Sequence, residues 1–356
     1  MSIRSDRSVF VTGASGFIGK RVAVLLQDEG YKIVLLSRHG AIAALSEAET
    51  VSNVEDCDTA EYIIHIAHDH FNGIANKQLW TKLETLADRV GTKGIIVFSS
   101  VAVHVPQFKG VLTEADPYAR HGDDYVATKI WLEEKAKAWA ARNPTRSVWI
   151  LRPTIVVGLG GNWTMHGLDV AGKKHAHLPF GGKNPCCAVH VQDVAEATLK
   201  ALNSFSEFTG ARSSIISGPD HFTWLDFYEL HSKLYERMSG EKSALRICEL
   251  RSDGKYHDSF LHDVFYRIAF DSIFSSAIRP ILGGMRQLVR RRRAQNRKVG
   301  ETPIDDSWTP QGMSRIFHSS QFTTRANLSG WGPRIPVNDA SLMDDDKSGT
   351  GRRQRE

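Results

Sequence analysis

Two side chains four residues apart suggest chemistry: Tyr125 and Lys129, in the segment YVATK. Residues at this spacing share one face of a helix. An ammonium beside a phenol favours the phenolate and lowers its pKa toward working pH. Such a tyrosine can take a proton from an alcohol, or give one to a carbonyl, while hydride moves to or from a nicotinamide ring. Lys129 could also hydrogen-bond the nicotinamide ribose. Any helix can carry this pair by chance, so it needs company. The apolar run GIIVFSS supplies it, ending in Ser99 and Ser100 ahead of Tyr125. A hydroxyl at the carboxyl end of a parallel strand can hold a reacting oxygen. Ser100 is the expected catalytic serine, and Ser99 the residue that closes the strand.

Hydride chemistry needs a carrier, and the segment VFVTGASGFIGKRV offers a place for one. Gly13, Gly16 and Gly19 stand three apart between an apolar strand pattern and a helical one. Gly13 would make the turn, Gly16 would let the backbone approach a pyrophosphate, and Gly19 would let helix pack on strand. The helix N-terminus adds free N–H groups and a favourable dipole. Ser15 lies within the same turn. The spacing is GxxGxxG rather than GxGxxG, and an ordinary tight turn would show the same glycines. The second strand pattern ends in VLLSRH. Ser37 stands where a carboxylate would hold the ribose hydroxyls, and Arg38 follows. A hydroxyl and a guanidinium suit a 2′-phosphate, so NADP is expected ahead of NAD. The alternative is that Arg38 is a solvated surface arginine.

The elements that must position these residues alternate. Val9–Thr12, Lys32–Leu36, Glu61–Ala67, Gly94–Ser99 and Ser147–Leu151 read as strands. Lys20–Glu29, Lys77–Val90 and Tyr125–Ala141 read as helices between them. Apolar runs flanked by helices predict an α/β fold, a Rossmann-type doubly wound parallel sheet covered on both faces. After Gly158 the pattern loosens, then Val189–Leu202 returns to strand followed by helix. The expected organisation is a dinucleotide-binding domain over 1–157, with 188–217 returning to it. A smaller, discontinuous substrate part spans 158–187 and 218–341, and 342–356 reads as a disordered tail.

Composition excludes several classes. The 356 residues are 41% hydrophobic and 24% charged, ordinary globular values. The formal charge of +5 is mild and does not imply nucleic acid. Four cysteines, Cys57, Cys186, Cys187 and Cys248, show no metal-ligand spacing. They fit a reduced, cytoplasmic setting. The N-terminus has no secretory h-region, and no apolar run reaches a membrane-spanning length.

In their order, TGASGFIG, HIAH, VFSSVAVH, YVATK, LRPTIVVGLGG and VHVQDVAEA resemble the extended short-chain dehydrogenase/reductases. The resemblance is closer to the NAD(P)-dependent epimerase/dehydratase family and covers Val9 to Leu202. It implies that Gly13, Gly16 and Gly19 form the pyrophosphate turn, with Phe17 and Ile18 facing the cofactor. It implies that Ala67 and His68 line the cofactor, and it matches Asn76 to the family's helix asparagine. Ser100, Tyr125 and Lys129 match the catalytic triad. Arg152, Pro153 and Thr154 match a strand bordering nicotinamide and substrate. His190 and Asp193 match an element better suited to packing and hydrogen bonding than to catalysis. SSQFTTRANLSGWGPRIP is similar to the family's late helix and following turn. The family also implies a homodimer through the YxxxK helix.

The departures are informative. His104 stands in place of a tyrosine and Val105 in place of a glycine. The stretch Gly40–Asp58 is short, leaving Asp56, Cys57 and Asp58 as adenine contacts to be tested. Thr154 replaces an asparagine common in sugar epimerases. Val101 and Ala102 follow Ser100 where dehydratases carry an Asp-Glu pair, so no carboxyl there could expel water. The resemblance therefore implies a nucleotide-sugar epimerase or reductase of polysaccharide biosynthesis. One alternative is a reductase of a sterol-like or other hydrophobic alcohol, similar to 3-beta-hydroxysteroid dehydrogenases. The other is a non-catalytic NADP-binding sensor.

One region stands apart. From 259 to 298 apolar residues recur at helical spacing and run into RRRR, Arg290–Arg293. A substrate-domain helix with a solvated basic end would look like this. So would an in-plane helix resting on anionic lipid at the cytoplasmic face of a membrane.

Overall fold

The computed structural model describes residues 7–37, 40, 42, 44–45, 47–70, 72–104, 109–119, 124–218, 222–249, 321–324, 328 and 331–344. Arg38, Val105 and the basic segment 259–298 lie outside them. The strands are β1 (Ser8–Thr12), β2 (Lys32–Leu36), β3 (Glu49–Val51), β4 (Tyr62–His65), β5 (Gly94–Phe98), β6 (Lys109–Leu112), β7 (Ser147–Pro153), β8 (Ile155–Val157), β9 (His175–Leu178), β10 (Ala188–His190), β11 (Gly210–Ile216), β12 (Arg246–Glu249) and β13 (Gln321–Thr324). The helices are α1 (Phe17–Asp28), α2 (Gly73–Val90), α3 (Asp124–Ala141), α4 (Asn162–Ala171), α5 (Val191–Asn203) and α6 (Trp224–Ser239), with a short final helix, Asp339–Asp344.

Seven strands form one parallel sheet in the order β11-β7-β5-β4-β1-β2-β3. Alternate residues of each strand feed two cores. Val9, Val11, Ile64, Ile96 and Phe98 meet α1 and α5 on one face. Phe10, Ile63, Ile95 and Val97 meet α2 and α3 on the other. Burial on both faces explains why these strands read as continuous apolar runs rather than alternating ones. Trp80 of α2 and Trp139 of α3 are fully buried beneath the sheet. The Trp139 Nε1 donates to Asp88 at 3.0 Å, so that indole brings no unpaired N–H into the core.

Sheet order reverses between β1 and β4, which lie side by side but are far apart in sequence. Crevices at such switch points, outside the carboxyl ends of the strands, are where open α/β sheets bind ligands. The glycine turn after β1, the HIAH segment after β4 and Ser99-Ser100 after β5 all emerge at this end.

Several elements differ from expectation. Helix α1 begins at Phe17, so Phe17 and Ile18 lie in its first turn rather than before it. Helix α2 begins at Gly73, because the Asn72 side chain caps it by accepting from Ala75 N at 2.9 Å. The loose stretch after Gly158 contains α4, which packs against α6. Residues 321–324 are a strand parallel to β6, not the start of a late helix. The polar tail was expected from 342, but Leu342 belongs to the final helix and is fully buried. Residues 345–356 lie outside the described chain.

Candidate active site

The glycine turn is built from backbone. Gly13 takes φ +77°, and a Cβ there would lie 2.7 Å from Ala67 N. A Cβ on Gly19 would lie 2.0 Å from the Gly13 carbonyl oxygen. Gly16 N donates to that same oxygen at 3.0 Å, which closes the turn. Gly16 is the N-cap of α1; no side chain caps the helix and its first turn holds no acidic residue. The first N–H groups of a helix have no partners within it, so an uncapped end of this kind suits an anion. This cradle fits a dinucleotide pyrophosphate. Thr12 joins the two switch-point strands behind it. Its Oγ1 bonds His65 Nδ1 at 2.8 Å and accepts from Ala67 N at 3.3 Å.

The neighbouring strand ends give mixed results. Ser37, at the end of β2, is buried, and its N–H donates to Val51 O at 3.0 Å. Cys57 is fully buried in the core under α2, with its thiol directed at Thr59 O. Asp56 caps a short turn by accepting from Asn53. Cys57 is therefore a packing residue, not an adenine contact.

Tyr125 and Lys129 lie in the first turns of α3. Lys129 is 4% exposed, and its Nζ donates to Phe98 O at 2.7 Å, tying the helix to the end of β5. Burial pushes its pKa down to about 7, with the Glu133 carboxylate pulling the other way. The ammonium stands 5.7 Å from the centre of the Tyr125 ring. It also adds to the burial that holds His65 down near a pKa of about 3. At β5 the two serines diverge. Ser99 is buried beside Glu133, and its Oγ makes no well-formed hydrogen bond among the described residues. Ser100 is half-buried, and its Oγ accepts from Ala102 N at 3.2 Å. Lys129 thus ties the start of α3, which carries Tyr125, to the end of β5, two residues before Ser100.

Behind this group lies a network that the sequence reading left unassigned. Arg152 was expected to border the ligand, but it is 2% exposed and points inward. Its Nε and Nη2 donate to both oxygens of Glu133 at 2.9 and 2.6 Å, and its Nη1 lies 2.8 Å from His104 Nε2. Tyr118 donates to Glu133 at 2.6 Å, and Lys137 donates to Tyr118 at 2.6 Å. Burial alone would raise the Glu133 pKa. The Arg152 guanidinium outweighs it and holds the carboxyl below its ordinary value. His104 is therefore a buried partner of Arg152. The signal for this network was present: Tyr125, Lys129, Glu133 and Lys137 repeat every fourth residue along one face of α3.

The C-terminal part closes on the turn. Gly161 packs against Phe17, and a Cβ on it would lie 2.7 Å from the Phe17 ring. Pro153 ends β7, and Thr154 donates to Cys187 O at 2.6 Å. His190 caps α5, its side chain accepting from Gln192 N. Asp193 accepts from the backbone N–H groups of Arg334 and Ile335. Both residues hold the chain rather than facing a ligand.

Fold and turn together describe an α/β protein with an uncapped glycine turn at the switch point of its parallel sheet. The model of the NAD dependent epimerase/dehydratase family matches residues 9–213, and the chain belongs to that family. It is an NAD(P)-dependent epimerase/reductase of the extended short-chain dehydrogenase type. Among curated relatives, UDP-glucose 4-epimerase of Bacillus subtilis (strain 168) is 24% identical over 68% of this chain and 86% of its own. Ketoreductase sphI of Aspergillus fumigatus is 25% identical over 55% of this chain and 74% of its own. Among solved structures, MoeE5 in complex with UDP-glucose and NAD superposes with TM-score 0.63 at 17% identity, covering 96% of this chain and 99% of that one. UDP-glucose 4-epimerase from Bifidobacterium longum, in complex with NAD+ and UDP, gives 0.55 at 19% identity, covering 68% of this chain and 86% of that one. Among the described residues, no helix is long and apolar enough to cross a membrane.

Proposed function

We propose that this enzyme oxidises or reduces a ring carbon of a nucleotide sugar, as an epimerase or 4-reductase, with NADP preferred to NAD. A bound nicotinamide ring would accept or supply the hydride. Tyr125 takes the proton from the sugar hydroxyl, or returns one to the keto oxygen. Lys129 stabilises the phenolate by its charge. Ser100 holds the reacting oxygen. Gly13, Ser15, Gly16, Phe17, Ile18 and Gly19 hold the pyrophosphate end, while Ala67, His68 and Pro153 line the approach to the nicotinamide. The observation that carries this reading is Lys129 Nζ donating to Phe98 O, which holds the start of α3 with Tyr125 at the end of β5, while the His68 ring meets Tyr125 one residue beyond Ala67, which packs on Gly13 of the turn. The family match and the UDP-sugar enzymes among the similar proteins support it. The preference for NADP rests on Ser37 standing where a carboxylate would serve NAD, and on the guanidinium of Arg38 that follows it.

The test is a panel of nucleotide sugars with each dinucleotide, read by nicotinamide absorbance, with product-resolving chromatography for epimerisation. Tyr125→Phe should abolish turnover and leave dinucleotide binding intact. Unchanged turnover would overturn the mechanism, and a sensor would show no turnover to lose. Ser37→Asp should shift the binding preference toward NAD.

A second reading, a carbonyl reductase of a hydrophobic alcohol, has its own observation. Met165 on α4 and Phe180 in the turn after β9 expose 54% and 44% of their surface. Hydrophobic alcohols in the same panel decide between the two. The family's homodimer and the membrane contact through 259–298 are further proposals. Light scattering tests the first, and co-sedimentation with anionic liposomes at low salt tests the second.

A further inference from the structure

Two histidines that take no part in the proton or hydride transfer lie against Tyr125. The His70 ring stacks nearly parallel to the Tyr125 ring, at 18° with centroids 5.3 Å apart. The His68 ring meets the Tyr125 ring edge-on, at 86° and 5.0 Å, and meets His70 edge-on at 5.2 Å. The two imidazoles thus touch the phenol in two different planes. A flat contact opposes tipping of a ring, and an edge contact opposes its rotation and sliding.

The loop that carries them is fastened. Asn76, buried in α2, accepts from Asp69 N at 2.8 Å and donates to Asp69 O at 2.7 Å. Asp69 lies between the two histidines in sequence, so this double hydrogen bond fixes the backbone from which both rings project. Thr12, through Ala67 N, fixes the loop's other end to β1. Tyr125 itself sits at the second residue of α3, where a helix gives its side chains the least support from a preceding turn.

We propose that His68 and His70 are positioning residues that together clamp the Tyr125 ring in the orientation its hydroxyl needs. The inference rests on Tyr125 being the acid/base of the proposed reaction. The clamp stays neutral at working pH. Burial, and then the nearby Lys129 charge, push both imidazoles below their ordinary range, with Asp69 opposing this at His70. His68 Nε2 is buried with no hydrogen-bond partner among the described residues, so its ring contacts are what hold that side chain. A neutral clamp leaves Lys129 as the charge that acts on the phenol, and its own part is orientation. Small displacements of a reacting group can cost roughly a hundredfold in rate.

The full-length protein labelled with 3-fluorotyrosine tests this by fluorine NMR, with Tyr125→Phe assigning the resonance. His70→Ala should move the Tyr125 resonance and leave those of the other tyrosines in place. It should lower kcat by roughly tenfold with little change in KM. His70→Phe, which keeps a flat ring, should restore both resonance and kcat. His68→Leu should move the resonance as well. An unmoved Tyr125 resonance in both His70→Ala and His68→Leu overturns the clamp, as does a moved resonance with unchanged kcat. If Tyr125→Phe leaves turnover intact, the acid/base reading fails instead, and the NMR result remains to show whether the rings restrain each other.

Discussion

The turn after β1 and the inward face of α3 solve opposite problems. The turn is made of missing side chains. Gly13 and Gly19 bring backbone against backbone so that the end of α1 stays bare for an anion. The α3 face is made of present ones: Glu133, Tyr118 and Arg152 satisfy one another, and buried Lys129 is satisfied by Phe98 O. A substitution in the turn adds atoms where none fit. A substitution in the network removes a partner and leaves a charge in a place that water does not reach. The first error is steric and cannot be repaired locally, whereas the second is electrostatic and can be repaired by removing the other partner.

Gly19→Ala should break the contrast on the steric side with the largest effect. Its Cβ would lie 2.0 Å from a backbone carbonyl oxygen that has no rotamer by which to escape. We expect a loss of about 4 kcal/mol or more in chemical denaturation, together with loss of dinucleotide binding in calorimetry. Arg152→Met should come next, at about 3–5 kcal/mol, because Glu133 would stay buried without its guanidinium. Pairing it with Glu133→Leu should recover much of that loss in the same measurement. A double variant as unstable as the single one would mean that the network is not primarily electrostatic.

Lys129 gives a smaller, pH-dependent effect. Its folded-state pKa of about 7 lies below the ordinary 10.5, so folding releases a proton between those values. The burial penalty is therefore full below about pH 7 and fades as pH rises toward the unfolded value. Without dinucleotide, wild type should gain thermal stability relative to Lys129→Met between about pH 6 and pH 9. A pH-independent gap between the two melting curves would contradict the burial of this charge. Gly161→Ala should be mildest, about 1 kcal/mol or less, since the nearest atoms its Cβ meets are the far end of the Phe17 ring at 2.7 Å, and the Gly158 carbonyl oxygen at 3.1 Å has only a few tenths of an ångström to give. Its melting temperature should stay close to that of wild type.

The same contrast explains what could be read in advance. Glycines required by close approach are visible as letters at fixed spacing, and so were the strands that surround them. Lys32–Leu36 coincides with β2 residue for residue, because a strand buried on both faces has no alternation to misread. The Tyr125 and Lys129 pair was visible for the same reason of spacing. Arg152 was misjudged because sequence does not reveal on which side of β7 a side chain emerges, and its partners Glu133, His104 and Tyr118 come from three separate segments. His70 carries no signal in sequence because its place against Tyr125 depends on a loop fastened by Asn76. Helix α4 was hidden in a glycine-rich stretch, since its formation depends on packing against α6. The strand at 321–324 likewise exists through its pairing with β6.

Asp193 has a practical consequence for how the chain can be cut. Its carboxylate, buried near the start of α5, accepts from the N–H groups of Arg334 and Ile335, while burial raises its pKa. Leu328 enters the core on the α1–α5 face, and Leu342 is fully enclosed. The described residues after 320 therefore act as a stitch: Leu328, Arg334 and Ile335 finish the α1–α5 face of the sheet, and the helix of Leu342 lies against α6. A shortened gene that stops at β12 would strip an acid of its donors and open two apolar sockets, so an expression fragment intended to keep the fold must extend through residue 344.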